Sequence, residues 1–370
     1  MNGQWIGQYT GSDSGSIIVN LDDMGDHYEG IAFLTSTDKK LPAVAVGLKT
    51  ENKTKIFKLK TPMILPIDPR TGLMTVWDNV KQLYPNITFS KEAEVSGDWN
   101  EQRLVLSWST DQGVTGSATI PRSKAGKKSE QKSRVFDWNR YKKHVSGLES
   151  RRYLFRGQEK PWRLRTKFHR SGRAELSRFL NQDIQTLHKH LSARTKHIFN
   201  LLIPDELGAF FNLVQHHGYP TPLLDWTYSP YVAVFFAFWR ISNLNALKGT
   251  TDQNVRIFVF DQKQWRQDFN QPLVLNAISP YFSIMEPLAI DNERMILQQA
   301  VSSVTNIDDI ENYIKSKESP KKKYLYIIDL PVGERKKVIR ELDCMGITAG
   351  SLFPGLDGAC EELKERFFEV

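Results

Sequence analysis

Through the first third of the chain, apolar and polar residues alternate in short runs broken by Gly, Asp and Asn. Three such runs are Ser16-Ile17-Ile18-Val19-Asn20-Leu21, Tyr28-Glu29-Gly30-Ile31-Ala32-Phe33-Leu34 and Arg103-Leu104-Val105-Leu106-Ser107-Trp108. Short, β-branched or aromatic runs of this kind predict antiparallel strands. Asp22-Asp23-Met24-Gly25-Asp26 separates two of them as a hairpin loop would. The even spacing predicts a small sandwich or barrel over residues 1–121. Trp5, Tyr9, Trp77, Trp99 and Trp108 either line a ligand cavity there or, as strand-favoured aromatics, fill its core. The core reading carries more weight, and the role of this half stays open.

Beyond residue 135 the period changes. Residues 136–145 and 184–202 have helical spacing, with Leu187, Leu191 and Ile198 on one face. Pro204 interrupts, and Asp205-Glu206 open a further helix through Gln215. Arg256-Ile257-Phe258-Val259-Phe260 and Tyr324-Leu325-Tyr326-Ile327-Ile328 predict buried strands. The expected class is therefore α+β: an N-terminal antiparallel β sandwich or barrel, then a mixed α/β domain over residues 135–370.

A length of 370 residues fits two domains, and 40% hydrophobic with 25% charged residues is a globular balance. No run of about 18 apolar residues suggests a spanning helix. Met1-Asn2-Gly3-Gln4-Trp5 lacks a secretory pattern. Cys344 and Cys360 form neither a disulfide framework nor a zinc site, so the expected compartment is the reducing cytoplasm, with no metal. The net charge of +8 changes the picture little. Residues 122–134, RSKAGKKSEQKSR, hold six basic residues and one acid, so most of the surplus sits in one basic linker. Such a segment is expected to be solvated, with nucleic-acid binding as the alternative.

Three segments carry candidate chemistry. Tyr153-Leu154-Phe155-Arg156-Gly157-Gln158 ends an apolar strand in a guanidinium, whose planar fork suits phosphate or carboxylate. Gly157 lets a ligand approach the backbone. In the second segment, Gln215-His216-His217-Gly218-Tyr219-Pro220-Thr221-Pro222 leads into Leu223-Leu224-Asp225-Trp226-Thr227. Ser229-Pro230 then caps and opens a helix with Val232, Phe235, Phe236 and Trp239 on its apolar face. A helix N-terminus so capped attracts anions. The third segment, Asp291-Asn292-Glu293-Arg294-Met295-Ile296-Leu297-Gln298-Gln299, offers two acids and two amides.

In order and spacing, these segments and the closing Leu352-Phe353-Pro354-Gly355-Leu356-Asp357-Gly358 resemble the FRG domain family over about residues 136–370. The Asp225-Trp226-Thr227 block is the specific part. Pro222, Ala300 and Ser302 depart from the family pattern. The arrangement is also similar to the ADP-ribosyltransferase plan, which implies NAD as substrate. On that likeness Arg156 anchors the pyrophosphate or nicotinamide ribose, and Gly157 pairs its backbone with the nicotinamide amide. Thr227 or Ser229 holds the ribose, and Trp226 or Tyr228 stacks on the nicotinamide ring. Gln298 touches the ribose hydroxyl. Gln158, His216, Thr221 and Arg294 complete the nucleotide contacts. A Glu in place of Gln298 would stabilise an oxocarbenium charge, and a Gln cannot. The burden then falls on Asp225 as general base, on Glu293 or on the acceptor. The same groups in a binding module would hold a nucleotide without turnover.

Overall fold

In the computed structural model, which describes residues 1–248 and 253–368, the alternating runs of the first third become nine strands. They are β1 (Gly3–Gly11), β2 (Ser14–Asp23), β3 (Tyr28–Ser36), β4 (Val44–Lys49), β5 (Ile56–Lys60), β6 (Ile64–Pro66), β7 (Ala93–Trp99), β8 (Arg103–Thr110) and β9 (Thr115–Pro121). All pairs are antiparallel, in the order β5-β7-β8-β9-β1-β2-β3-β4-β6. The expected sandwich or barrel is thus a half-barrel, whose edges β5 and β6 do not pair with each other among the described residues. The period of two shows within β2. Ile17, Val19 and Leu21 join the core around Trp5 and Leu104, while Ile18 points to the other face with Phe33, Ala45 and Ile67. Trp5 and Tyr9 are core residues, and Trp99 and Trp108 pack against them. Trp77 instead stacks on Phe89, ring centroids 4.6 Å apart.

The second sheet contains β10 (Arg134–Val135), β11 (Tyr153–Gln158), β12 (Leu223–Thr227), β13 (Asn254–Asp261), β14 (Phe282–Met285), β15 (Ala300–Thr305) and β16 (Leu325–Pro331). Its order is β10-β16-β13-β11-β12-β15-β14, with β10 parallel to β16 and every other pair antiparallel. Helices cover it. Ile257 and Val259 enter one core with the helix Pro230–Phe238, and Phe258 and Phe260 enter another with Leu154 and Trp226. Burial on both faces is why β13 is apolar at successive positions. Among the described residues, no helix is long and apolar enough to cross a membrane.

Two expectations change. The helix predicted over 184–202 stops at Leu191. There the Ser192 hydroxyl donates to the Lys189 carbonyl at 3.0 Å and Thr195 to that of Leu191 at 3.3 Å, so side chains take over the last acceptors. Leu187 and Leu191 pack on the core, whereas Ile198 is exposed. The basic linker is also not wholly solvated. Ser129 donates its backbone N–H to Pro161 O at 2.8 Å and its hydroxyl to Glu311, while Ala125 is buried. Lys124, Lys127, Lys128 and Lys132 remain exposed. Backbone docking and solvated lysines coexist because the lysine stems reach outward.

The two domains meet at Asp22. This buried carboxylate accepts from Ala174 N at 2.8 Å, Glu175 N at 3.1 Å and Arg173 Nε at 2.8 Å. Gln4 adds two bonds, donating to Asn306 O at 2.6 Å and accepting from Asp308 N at 2.9 Å.

Candidate functional site

β11 and β12 are sheet neighbours joined by a single register pair, Phe155 with Thr227. Beyond it the ladder is interrupted, and Arg156 Nη1 donates instead to the Asp225 carbonyl at 2.6 Å. A side chain thus bridges two strands whose backbones have parted. The split opens a cleft of about 1170 Å³, lined by Arg156, Asp225, Thr227, His216, Arg294 and Gln298 among others. Residues 69 positions apart in sequence are brought together because β11 and β12 lie side by side.

The cleft floor is cationic. The Arg156 side chain is half-buried, and its enclosed Nε finds no hydrogen-bond partner among the described residues. Burial, then the neighbouring Arg170, pulls its pKa down to about 10, against a weaker upward pull from Asp225. Desolvation also lowers the pKa of Arg170, whose Nη2 donates to Gln158 Oε1 at 3.4 Å. Lys167 donates to Gln215 O at 3.5 Å and Arg294 to His216 O at 3.4 Å. None of these four cations makes a salt bridge with a carboxylate among the described residues. Lys167 and Arg170 are exposed and Arg294 half-buried, so the cost of an unpaired cation away from water falls mainly on Arg156, whose Nε is enclosed, and an anion there would relieve it.

Asp225 is a cleft carboxylate whose charge acts on Arg156. Its Oδ1 accepts from Gln215 Nε2, and the Gln215 amide oxygen accepts from the Thr221 hydroxyl. Its Oδ2 has no partner among the described residues. A parallel relay runs from Ser302 through Asn212 and Asn292 to His216 Nδ1. Burial lowers the His216 pKa, with Asp225 opposing the shift.

The remaining candidates divide. Thr227 is buried and donates to Gln298 O at 2.7 Å, and the Gln298 amide donates to Leu352 O at 3.0 Å, so both side chains are already engaged. Gln158 borders the cleft and donates to Trp162 O at 2.8 Å. Ser229 caps its helix as expected, accepting from Val232 N at 3.2 Å. Ser229 and Thr221 do not line the cleft, and Glu293 is exposed outside it.

Trp226, Tyr228 and Gly157 are each engaged within the protein. The Trp226 indole lies in the core beside Phe260 and donates to Ser303 Oγ at 2.9 Å, so it is not free to stack on a ligand. Tyr228 stacks under Arg151, donates to Glu286 at 3.0 Å and does not line the cleft, whereas Trp226 borders it. Gly157 borders the cleft and makes a close approach to a helix: a Cβ there would lie 1.8 Å from the Ala233 carbonyl oxygen.

Lys167, Arg170 and the aromatic wall of Phe236, Trp239 and Phe353 were not legible as site residues. Lys167-Phe168-His169-Arg170 reads as an ordinary amphipathic helical turn. Phe236 and Trp239 read as the apolar face of the helix after Ser229, and Phe353 as part of the closing FRG-like segment, with nothing to mark either as cleft lining. Among the described residues, no group of three His, Cys, Asp or Glu is placed to hold a metal ion.

The family model of the FRG domain matches residues 151–245. That span contains β11, the helix Pro204–His216, β12 and the helix Pro230–Phe238, hence Arg156 and Asp225 but not Arg294 or Gln298. No curated protein and no solved structure matches the chain.

Proposed function

Since the chain carries an FRG domain at residues 151–245, with Arg156 at the mouth of a split sheet, we propose that this cleft binds NAD and transfers its ADP-ribose to an acceptor. The observation that carries the reading is the half-buried Arg156 guanidinium, held by one backbone carbonyl and otherwise open to an anion. A diphosphate fits it, because the planar fork matches paired phosphate oxygens. Arg170, Lys167 and Arg294 supply the remaining positive field.

In the transfer, the bond between the nicotinamide nitrogen and the ribose C1′ breaks, and its electron pair leaves with nicotinamide. The acceptor nucleophile bonds to C1′ and loses a proton. Asp225 takes that proton through Oδ2, while the Gln215 amide orients the carboxylate through Oδ1.

A second reading follows from Gln298. Its amide is committed to Leu352 O and carries no charge to steady an oxocarbenium ion. On that ground the cleft holds a nucleotide without turning it over.

Nicotinamide release and ADP-ribose binding, measured on the full chain, separate the two. A transferase releases nicotinamide. Arg156→Lys should then lower kcat/KM by on the order of 100-fold, the loss of a strong charge-assisted fork. Asp225→Asn should abolish release while keeping ADP-ribose bound and the melting temperature nearly unchanged. Binding by wild type without release supports the second reading. A wild type that neither binds ADP-ribose nor releases nicotinamide would sink both.

A further inference from the structure

The cleft has a second wall whose chemistry a diphosphate does not use. Phe236 and Trp239 sit at the end of the helix Pro230–Phe238, and Phe353 follows the short helix Ala349–Leu352. All three line the cleft and stay partly exposed, while Phe235 and Phe238 of the same helix are buried. Phe235 and Phe238 anchor the helix in the core, and the three partly exposed rings pack on the edge of that core. Phe236 stands at 80° to both Trp239 and Phe353, with centroids 6.4 Å and 5.9 Å away. Trp239 and Phe353 lie 4.7 Å apart at 34°. The rings make a corner, with two faces set against a perpendicular edge. A flat ring entering it gains stacking on one side and an edge contact on the other.

Arg294 ties this corner to the cationic floor. Its guanidinium lies 5.6 Å from the Phe353 ring centroid while its Nη1 reaches the His216 carbonyl. The spacing also fits a nucleotide. Ala233, whose carbonyl abuts Gly157 beside Arg156, precedes Trp239 by two turns or less. At 1.5 Å per residue that is roughly 9 Å along the axis, the scale of a ribose between a phosphate and its base.

We infer that Phe236, Trp239 and Phe353 form the base-binding corner of the cleft, stacking the heterocycle of a nucleotide whose phosphates lie at Arg156. The inference rests on the nucleotide reading proposed above and adds the group that selects a base. The shared chemistry is a flat aromatic heterocycle, supplied by either the adenine or the nicotinamide end of the ligand.

Calorimetric titration of the full chain tests it, with ADP, nicotinamide mononucleotide and inorganic pyrophosphate as probes. The proteins are wild type, Phe353→Leu, Trp239→Leu and the conservative Phe353→Tyr, each with its melting temperature. The leucine variants should weaken one of the two nucleotides about tenfold, leave pyrophosphate within about twofold, and Phe353→Tyr should restore the nucleotide. Loss with ADP places adenine in the corner, and loss with nicotinamide mononucleotide places the pyridine ring there. Unchanged nucleotide affinity in both leucine variants would overturn the inference while leaving the nucleotide reading intact. So would parallel losses of pyrophosphate binding and melting temperature, which mark rings that only hold the fold. A wild type that binds pyrophosphate but no nucleotide overturns it too, and one that binds no probe removes the nucleotide reading with it.

Discussion

His169 is enclosed between the two domains' charged residues without being paired to any of them. Its Nδ1 lies 2.7 Å from the Thr166 hydroxyl, and its Nε2 has no partner among the described residues. Burial draws its pKa from 6.5 to about 4, with Arg165 pulling the same way and Asp308 opposing. The unfolded chain therefore takes up a proton near pH 6.5 that the folded chain refuses until about pH 4. Stability is complete above that window and is lost as pH falls through it, by on the order of 3 kcal/mol. His169→Gln keeps a partner for Thr166 and removes the titration. Its melting temperature should fall less than that of wild type between pH 6.5 and 4, and equal slopes would refute the assignment. Arg156 makes the complementary case. It is half-buried and its pKa is also depressed, yet unlike His169 it faces a cleft that solvent and anions can enter.

At the scale of elements, the site depends on how tightly β11 lies against the helix Pro230–Phe238. Gly157 allows that contact, since a Cβ would meet the Ala233 carbonyl oxygen at 1.8 Å and Ala237 N at 2.9 Å. The obstruction is backbone, which cannot rotate aside as a side chain would. Gly157→Ala should cost about 1–3 kcal/mol, read as a lower denaturant midpoint with an unchanged slope. It should also shift the helix that carries Phe236 and Trp239, so nucleotide binding should fall with it. Full stability in the alanine variant would mean that the strand and helix are less closely packed than this. The Gly of the Phe-Arg-Gly motif thus serves strand–helix contact, while Phe155, Arg156 and Gly157 all border the cleft.

For the whole molecule, the half-barrel and the FRG domain share polar contacts of the kind found inside domains. Asp22 is nearly inaccessible and satisfies two backbone N–H groups as well as Arg173. Asp22→Ala would strand those donors and the guanidinium, at about 3–5 kcal/mol. Wild type should unfold in one calorimetric transition, and Asp22→Ala should lower or divide it. Two separate transitions in wild type would show that the interface is weak. The exposed lysines at 124–132 offer trypsin its side chains, but the docked backbone around Ser129 should slow cleavage until Asp22 is removed.

What the chain determined locally could be read from it. The half-barrel strands follow from alternation, the doubly buried β13 from its unbroken apolar run, and the capped helix after Ser229 from a hydroxyl followed by proline. The FRG motifs were legible for the same reason, since order and spacing are properties of sequence. The use of each motif residue was decided only in three dimensions. Trp226 goes to the core because the alternation of β12 sends it to the side of Leu224, while Asp225 faces the cleft. The helix predicted to Leu202 ended early where hydroxyls competed for its carbonyls. Arg170 and Lys167 joined Arg156 with nothing local to mark them, and Phe353, part of the closing FRG-like segment, was brought to the cleft from the far end of the chain. Whether a cation is paired, or a ring exposed, depends on neighbours set by the tertiary fold, and the free energy of burying a group belongs to that assembled surrounding rather than to its place in the chain.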